Sequence, residues 1–123
     1  MTDQLISFEV AKLAEEKGFK EDCQFHIVEH TDENGNKRLV TNHVYVGYRQ
    51  PTQSLLQKYL RENHKLHIEI FIGFNNKFGY YIHNLNTKNI SDRARTRIFV
   101  KAQWDKYEDA LEIAEQQTLK LLP

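Results

Sequence analysis

Cysteine is nearly absent. Cys23 stands alone, so the chain can form neither an intramolecular disulfide nor a cysteine-built zinc site, and a reducing compartment is the simplest setting. Net charge is absent as well: 17 basic side chains face 17 acidic ones, which removes any global pull toward nucleic acid or anionic lipid. No apolar run approaches the roughly 20 residues that cross a bilayer, so no membrane association is expected. A leader is not expected either, because no basic-then-apolar stretch opens the sequence. Two prolines and five glycines are too few for a collagen-like or linker-like chain. What is present is core material. Seven Phe, six Tyr and one Trp in 123 residues predict a single folded domain over residues 1–123, burying roughly two thirds of the unfolded surface.

The hydrophobic periodicity predicts three helices. The first runs from about Ser7 to Lys17, with Ser7 as its cap, Val10, Leu13 and Ala14 as its apolar stripe, and Gly18-Phe19 as its stop. The second enters at Pro51-Thr52, carries Leu55, Leu56, Tyr59 and Leu60, and is expected to stop at Asn63. The third follows Asp105, which with Glu108 reads as a capping box, and places Tyr107, Ala110, Leu111, Ala114, Thr118 and Leu121 on one stripe.

Period-two stretches predict the strands. Cys23, Phe25 and Ile27 alternate with Gln24, His26 and Val28, and Asn34-Gly35 signals a tight turn because both residues tolerate positive φ. The return is expected through Leu39 and Val40 toward Val44, Tyr45 and Val46, with Thr41-Asn42 as an interruption. In a second hairpin Leu66, Ile68, Ile70, Ile72 and Phe74 share one face, matched by Phe78, Tyr80 and Ile82. Both faces agree only across an odd-numbered loop, which favours Asn75-Asn76-Lys77. Ile98, Val100, Ala102 and Trp104 form a further strand. The order α-β-β-α-β-β-β-α predicts an α+β fold. It has an antiparallel sheet of two hairpins plus an extra strand, with three helices packed mainly on one face.

The candidate chemistry is sparse. His26 and His30 lie four apart on a strand, roughly 13 Å, too far to share one ion. His64 and His67 straddle a helix–strand junction, and His67 and Glu69 share a strand face without a third ligand. No serine sits in a Gly-flanked elbow, and no phosphate-cradling glycine loop or dinucleotide fingerprint occurs. Neither an enzyme nor a cofactor or metal is expected. Lys77 to Ile82 echoes an RNA-recognition strand, but its aromatic and glycine positions are out of register and the element order differs.

Two stretches read as binding surfaces. Lys88, Arg93, Arg95, Arg97 and Lys101 stand against Asp92 alone, a formal charge of +4. With Arg93, Arg95 and Arg97 spaced by two, an extended strand would project them together toward phosphates. A solvated loop offset by the acidic last helix (Asp105, Glu108, Asp109, Glu112 and Glu115) is the competing account. The other face of the second hairpin carries His67, Glu69, Phe71, Tyr81 and His83, with Gly73 and Gly79 beside them. It reads either as a recognition surface for an unidentified protein or a second copy of the chain, or as the wet side of a sheet.

Three stretches carry a resemblance. They are Ile6 to Ala14 with Gly18-Phe19, then Pro51 to Glu62, and Tyr107 to Leu111; the middle one is the specific block. In this order they resemble a family of small uncharacterised proteins carried by phages and prophages of Bacteroides-type gut bacteria. The resemblance implies a mobile-element context and the bacterial host cytoplasm, and transfers no functional residue. The expectation is therefore a non-enzymatic accessory or interaction protein, with nucleic-acid binding through residues 88–101 as the alternative.

Overall fold

The computed structural model describes residues 3–86 and 97–123. Helix α1 (Phe8–Glu16) starts where Ser7 Oγ accepts the Val10 N–H, and it closes where the N–H groups of Gly18 and Phe19 donate to the Glu15 and Ala14 carbonyls. That double closure is the stop expected from the sequence.

Strands β1 (Phe25–Thr31) and β2 (Lys37–Asn42) form an antiparallel hairpin. Its turn is wider than a two-residue one. Asp32 N–H donates to the Asn36 carbonyl, Asp32 Oδ1 accepts from the Asn34 and Asn36 amides, and only Gly35 of the Asn34-Gly35 pair takes positive φ, at 82°. The returning chain does not continue through Val44 to Val46. Asn42 Oδ1 accepts the Val44 and Val46 N–H groups, while its Nδ2 donates to the Val46 carbonyl, winding residues 43–47 into an exposed loop. Tyr45 (φ 63°) sits left-handed at its crest, a conformation uncommon outside glycine. The chain then re-enters as a short strand, β3 (Tyr48–Gln50), on the far side of β1.

Helix α2 (Gln53–His64) is capped by Thr52, whose Oγ1 accepts the Leu55 N–H. It ends one residue past the expected Asn63 stop, because Lys65 (φ 57°) makes the left-handed turn and Leu85 N–H holds the Lys65 carbonyl. Strands β4 (Leu66–Ile72) and β5 (Phe78–Asn84) pair Ile68 with Ile82, Ile70 with Tyr80 and Ile72 with Phe78. The loop between them is odd-numbered as required, but it spans Phe74-Asn75-Asn76, closed by the Gly73–Lys77 hydrogen bond. Phe74 is therefore at the tip and fully in solvent, not on the strand's buried face. Strand β6 (Ile98–Trp104) adds antiparallel to β5.

The strands thus form two three-stranded antiparallel sheets, β2-β1-β3 and β4-β5-β6, within the expected α+β class. Helix α3 (Tyr107–Lys120) covers the second sheet with α2, and α1 packs between the first sheet and α3. Phe19, Ile6, Leu56, Leu60, Ile68, Ile82 and Leu119 meet in one core, each fully buried side chain of this size contributing about 1.5–3 kcal/mol. The expected Asp105–Glu108 capping box does not form. Asp105 is drawn to Lys77 (3.4 Å), and the helix begins after Lys106 with no side-chain cap.

Two positions in this frame have measurable consequences. At Gly79 the β5–β6 register shifts, and a Cβ there would lie 2.6 Å from the Val100 carbonyl oxygen and 2.7 Å from the Ala102 nitrogen. Backbone cannot yield to it, so Gly79→Ala is expected to cost about 1–3 kcal/mol in denaturant unfolding. Glu115 is wholly buried on α3, and its carboxyl finds no hydrogen-bond partner among the described residues. Burial first, then the charges of Glu112 and Asp3, hold it well above its ordinary 4.5. Since the folded state prefers the protonated acid, its contribution is fullest below the unfolded pKa and is lost as pH rises through the folded one. Thermal melts should show Glu115→Gln flattening that loss with rising pH. At neutral pH Glu115→Met should raise Tm by several degrees, because an unsatisfied buried polar group costs about 1–3 kcal/mol.

Candidate functional site

The alternation that turns Ile68, Tyr80 and Ile82 inward turns His67, Glu69, Phe71, Tyr81 and His83 outward, and antiparallel pairing sets them in rows. His67 lies opposite His83, Glu69 opposite Tyr81, and Phe71 opposite Gly79. Phe99 of β6 completes the middle row opposite Tyr81. The rings touch throughout. His67 and His83 stack at 6.0 Å, Tyr81 and His83 at 5.6 Å, and Phe71 lies 5.1 Å from Tyr81. Phe71 and Phe99 are nearly parallel, 13° apart at 5.7 Å. Gly79 permits that approach, since Phe71 Cζ occupies the space a Cβ would need (2.6 Å). Phe99 remains 58% exposed, and beyond it an open hollow of about 600 Å³ lies between Phe71, Phe99, Phe74 and Ala102.

The charges on this face are few and ordered. Glu69 Oε1 lies 3.1 Å from His83 Nε2, so the acid and the imidazole answer each other. The Arg97 guanidinium sits 4.8 Å above the Tyr81 ring, a cation–π contact of the kind worth about 0.5–1 kcal/mol at exposed sites. His67 Nδ1 is buried with no hydrogen-bond partner among the described residues. Burial, then Arg61 and His83, push its pKa below 6.5, with Glu69 opposing. The acids of α3 lie with the helix that covers the inner face, so the sheet separates a carboxylate-rich side from a side carrying Arg97.

One residue of the basic segment reaches the hairpin face. Arg97, from the basic segment, stands over Tyr81 of the hairpin face. Lys101 is exposed on β6, without an ion pair among the described residues. Lys88, Arg93 and Arg95 lie outside the described residues. Phe99 was missed by reading the hairpin alone. The signal was its parity, opposite to Ile98 and Val100 within the same strand, but which sheet face that parity serves depends on long-range pairing with β5.

Elsewhere His64 Nε2 lies 3.3 Å from the Tyr59 hydroxyl, and buried His26 meets the Tyr45 ring edge-on, its Nδ1 without a hydrogen-bond partner among the described residues. The Cys23 thiol is pushed up to about 11 by burial, against the opposing pull of Arg49, and it contacts the Glu21 carbonyl. Among the described residues no three His, Cys, Asp or Glu side chains converge to hold a metal ion. No helix among them is long and apolar enough to cross a membrane.

No known protein family matches the chain, and neither a curated protein nor a solved structure does.

The ring cluster makes a pH prediction. Because the folded-state pKa of His67 is depressed, the stability it contributes is present above pH 6.5 and is lost as pH falls through the folded value. In a proton NMR titration the His67 ring should reach its midpoint below 6.5. A His67→Phe variant should lose less stability between pH 7 and pH 5 than the parent in denaturant unfolding.

Proposed function

We propose that this chain is a non-enzymatic accessory protein of a phage or prophage, acting in the cytoplasm of its bacterial host. It binds its target through the outer face of the second sheet. The observation that carries the reading is the cluster of five ring side chains, His67, Phe71, Tyr81, His83 and Phe99, on the sheet face opposite α2 and α3. Phe99 is exposed and the other four are half-buried, and a contiguous, partly apolar patch of this kind is characteristic of recognition sites. The resemblance of Pro51 to Glu62, with its two flanking stretches, to phage and prophage proteins supports the setting. The chemistry of the face also favours binding. The His83–Glu69 pair holds a base and its partner, and neither is hydrogen-bonded to a hydroxyl or thiol among the described residues.

In-cell photocrosslinking tests the assignment. A benzoylphenylalanine at position 99 replaces one exposed aromatic by another, and the same group at Leu39 of the first sheet, half-exposed, is the control. In bacteria carrying the mobile element, position 99 should form macromolecular adducts that position 39 does not. Adducts from neither position, or equal adducts from both, overturn the proposal.

A further inference from the structure

Resting on that assignment of the face, we infer that its target is a second copy of this chain: two outer faces of β4-β5-β6 pack on one another about a two-fold axis running along β5.

Charge orders the face. Its two outermost strands carry opposite signs. β4 presents the exposed Glu69 carboxylate, which touches the His83 ring and pairs with no Lys or Arg among the described residues. Arg97 and Lys101 stand exposed on either side of Phe99 at β6, without an ion pair among the described residues. Packed sheets keep their strands within about 30° of each other, and two kinds of two-fold axis allow this. An axis across the strands sets β4 on β4 and β6 on β6, so that like charges meet. An axis along β5 sets β4 of each copy on β6 of the other. Glu69, Tyr81 and Phe99 share one level of the sheet. Glu69 of one copy therefore lies over Phe99 of the other, between its Arg97 and Lys101. Unlike charges meet twice, which fixes the orientation.

Shape agrees with that orientation. The open hollow is lined by Phe71, Gly73, Phe99 and Ala102 and rimmed by Phe74, which stands fully in solvent. Asn75 Nδ2 donates to the Ala102 carbonyl, so the hairpin tip is level with Ala102. The axis along β5 carries each tip to the β6 side of the other copy at that level, and Phe74 of one copy enters the hollow of the other. Knob and socket lie on one surface, as a self-complementary contact requires. Area is sufficient for a weak dimer. Phe74 and the half-exposed Phe99 supply roughly 600 Å² over two copies, at about 150–250 Å² for a whole aromatic ring. Phe71, Tyr81, Arg97 and Lys101 add to this, toward the ~1,000 Å² of a specific interface. A carboxylate inside the patch repels a polyanion, whereas a second copy brings the matching ring, socket and charges with it.

Sedimentation equilibrium of the purified intact chain, from micromolar to near-millimolar concentration, tests the inference. The mass should rise from 14.6 kDa toward twice that value. Glu69→Lys alone, and Arg97→Glu with Lys101→Glu together, should each weaken association about tenfold or more, because like charges then face each other. Mixed in equal amounts, those two variants should associate again, since each restores the sign the other has lost. Phe74→Ser, at a fully exposed position, should weaken association about tenfold with an unchanged thermal melt, which keeps the comparison independent of folding. A monomer mass throughout, a Glu69→Lys chain that associates like the parent, or a mixture that does not recover overturns the inference. If the chain stays monomeric while position 99 crosslinks another macromolecule, the face assignment stands and the second-copy inference falls. If position 99 forms no adduct at all, both fall.

Discussion

The architecture depends on the parity of one loop. Gly73 and Lys77 close a connection of three residues, so Ile68 and Ile70 fall opposite Ile82 and Tyr80 and all four share a side of the sheet. One residue more or fewer would turn β5 over and bury His83 and Tyr81 while exposing Ile82 and Tyr80. The same parity collects the outward rings. Core and recognition face are therefore one decision, made at a turn that itself buries almost nothing.

What the turn begins, Gly79 completes. β6 must approach β5 closely enough to align Phe99 with Tyr81, and its register must slip by two residues to bring Trp104 beside Phe78. Only a residue without a side chain accepts Val100 and Ala102 on its edge and the ring of Phe71 on its face. The inner side shows the cost of a small domain with three helix starts to satisfy. Gln53 donates to the Glu108 carbonyl and to Glu112 Oε2, and Glu112 Oε1 receives the Ser7 N–H at 2.6 Å. Beside this satisfied clasp, Glu115 is left with no partner among the described residues.

The elements legible in the sequence were those set by local chemistry. Ser7 caps its helix through a hydrogen bond three residues away, and the isoleucines of β4 announce their face by period two, hence the α+β class. Failures cluster where a distant partner wins. Asp105 has the spacing to Glu108 of a capping box, but Lys77, on the chain entering β5, competes for the carboxylate. Val44 to Val46 look like strand, but the Asn42 side chain supplies their backbone with a nearer set of bonds. Phe74 keeps the period of β4 after the ladder has ended, and periodicity carries no signal of where pairing stops. The site divided the same way: His67, Phe71, Tyr81 and His83 share a face by parity, whereas placing Phe99 and Arg97 beside them required knowing the partner of β6.

The Ser7–Glu112 hydrogen bond joins residues 105 positions apart, and Lys17 Nζ donates to the Leu122 carbonyl across the same span. α1 and the inner face of β4-β5 both wait for α3, which is translated after them. During synthesis the isoleucine face would thus stay open until α3 follows it out of the ribosome, at elongation rates of about 5–20 residues per second. Its closure is a late event that joins elements far apart in the chain.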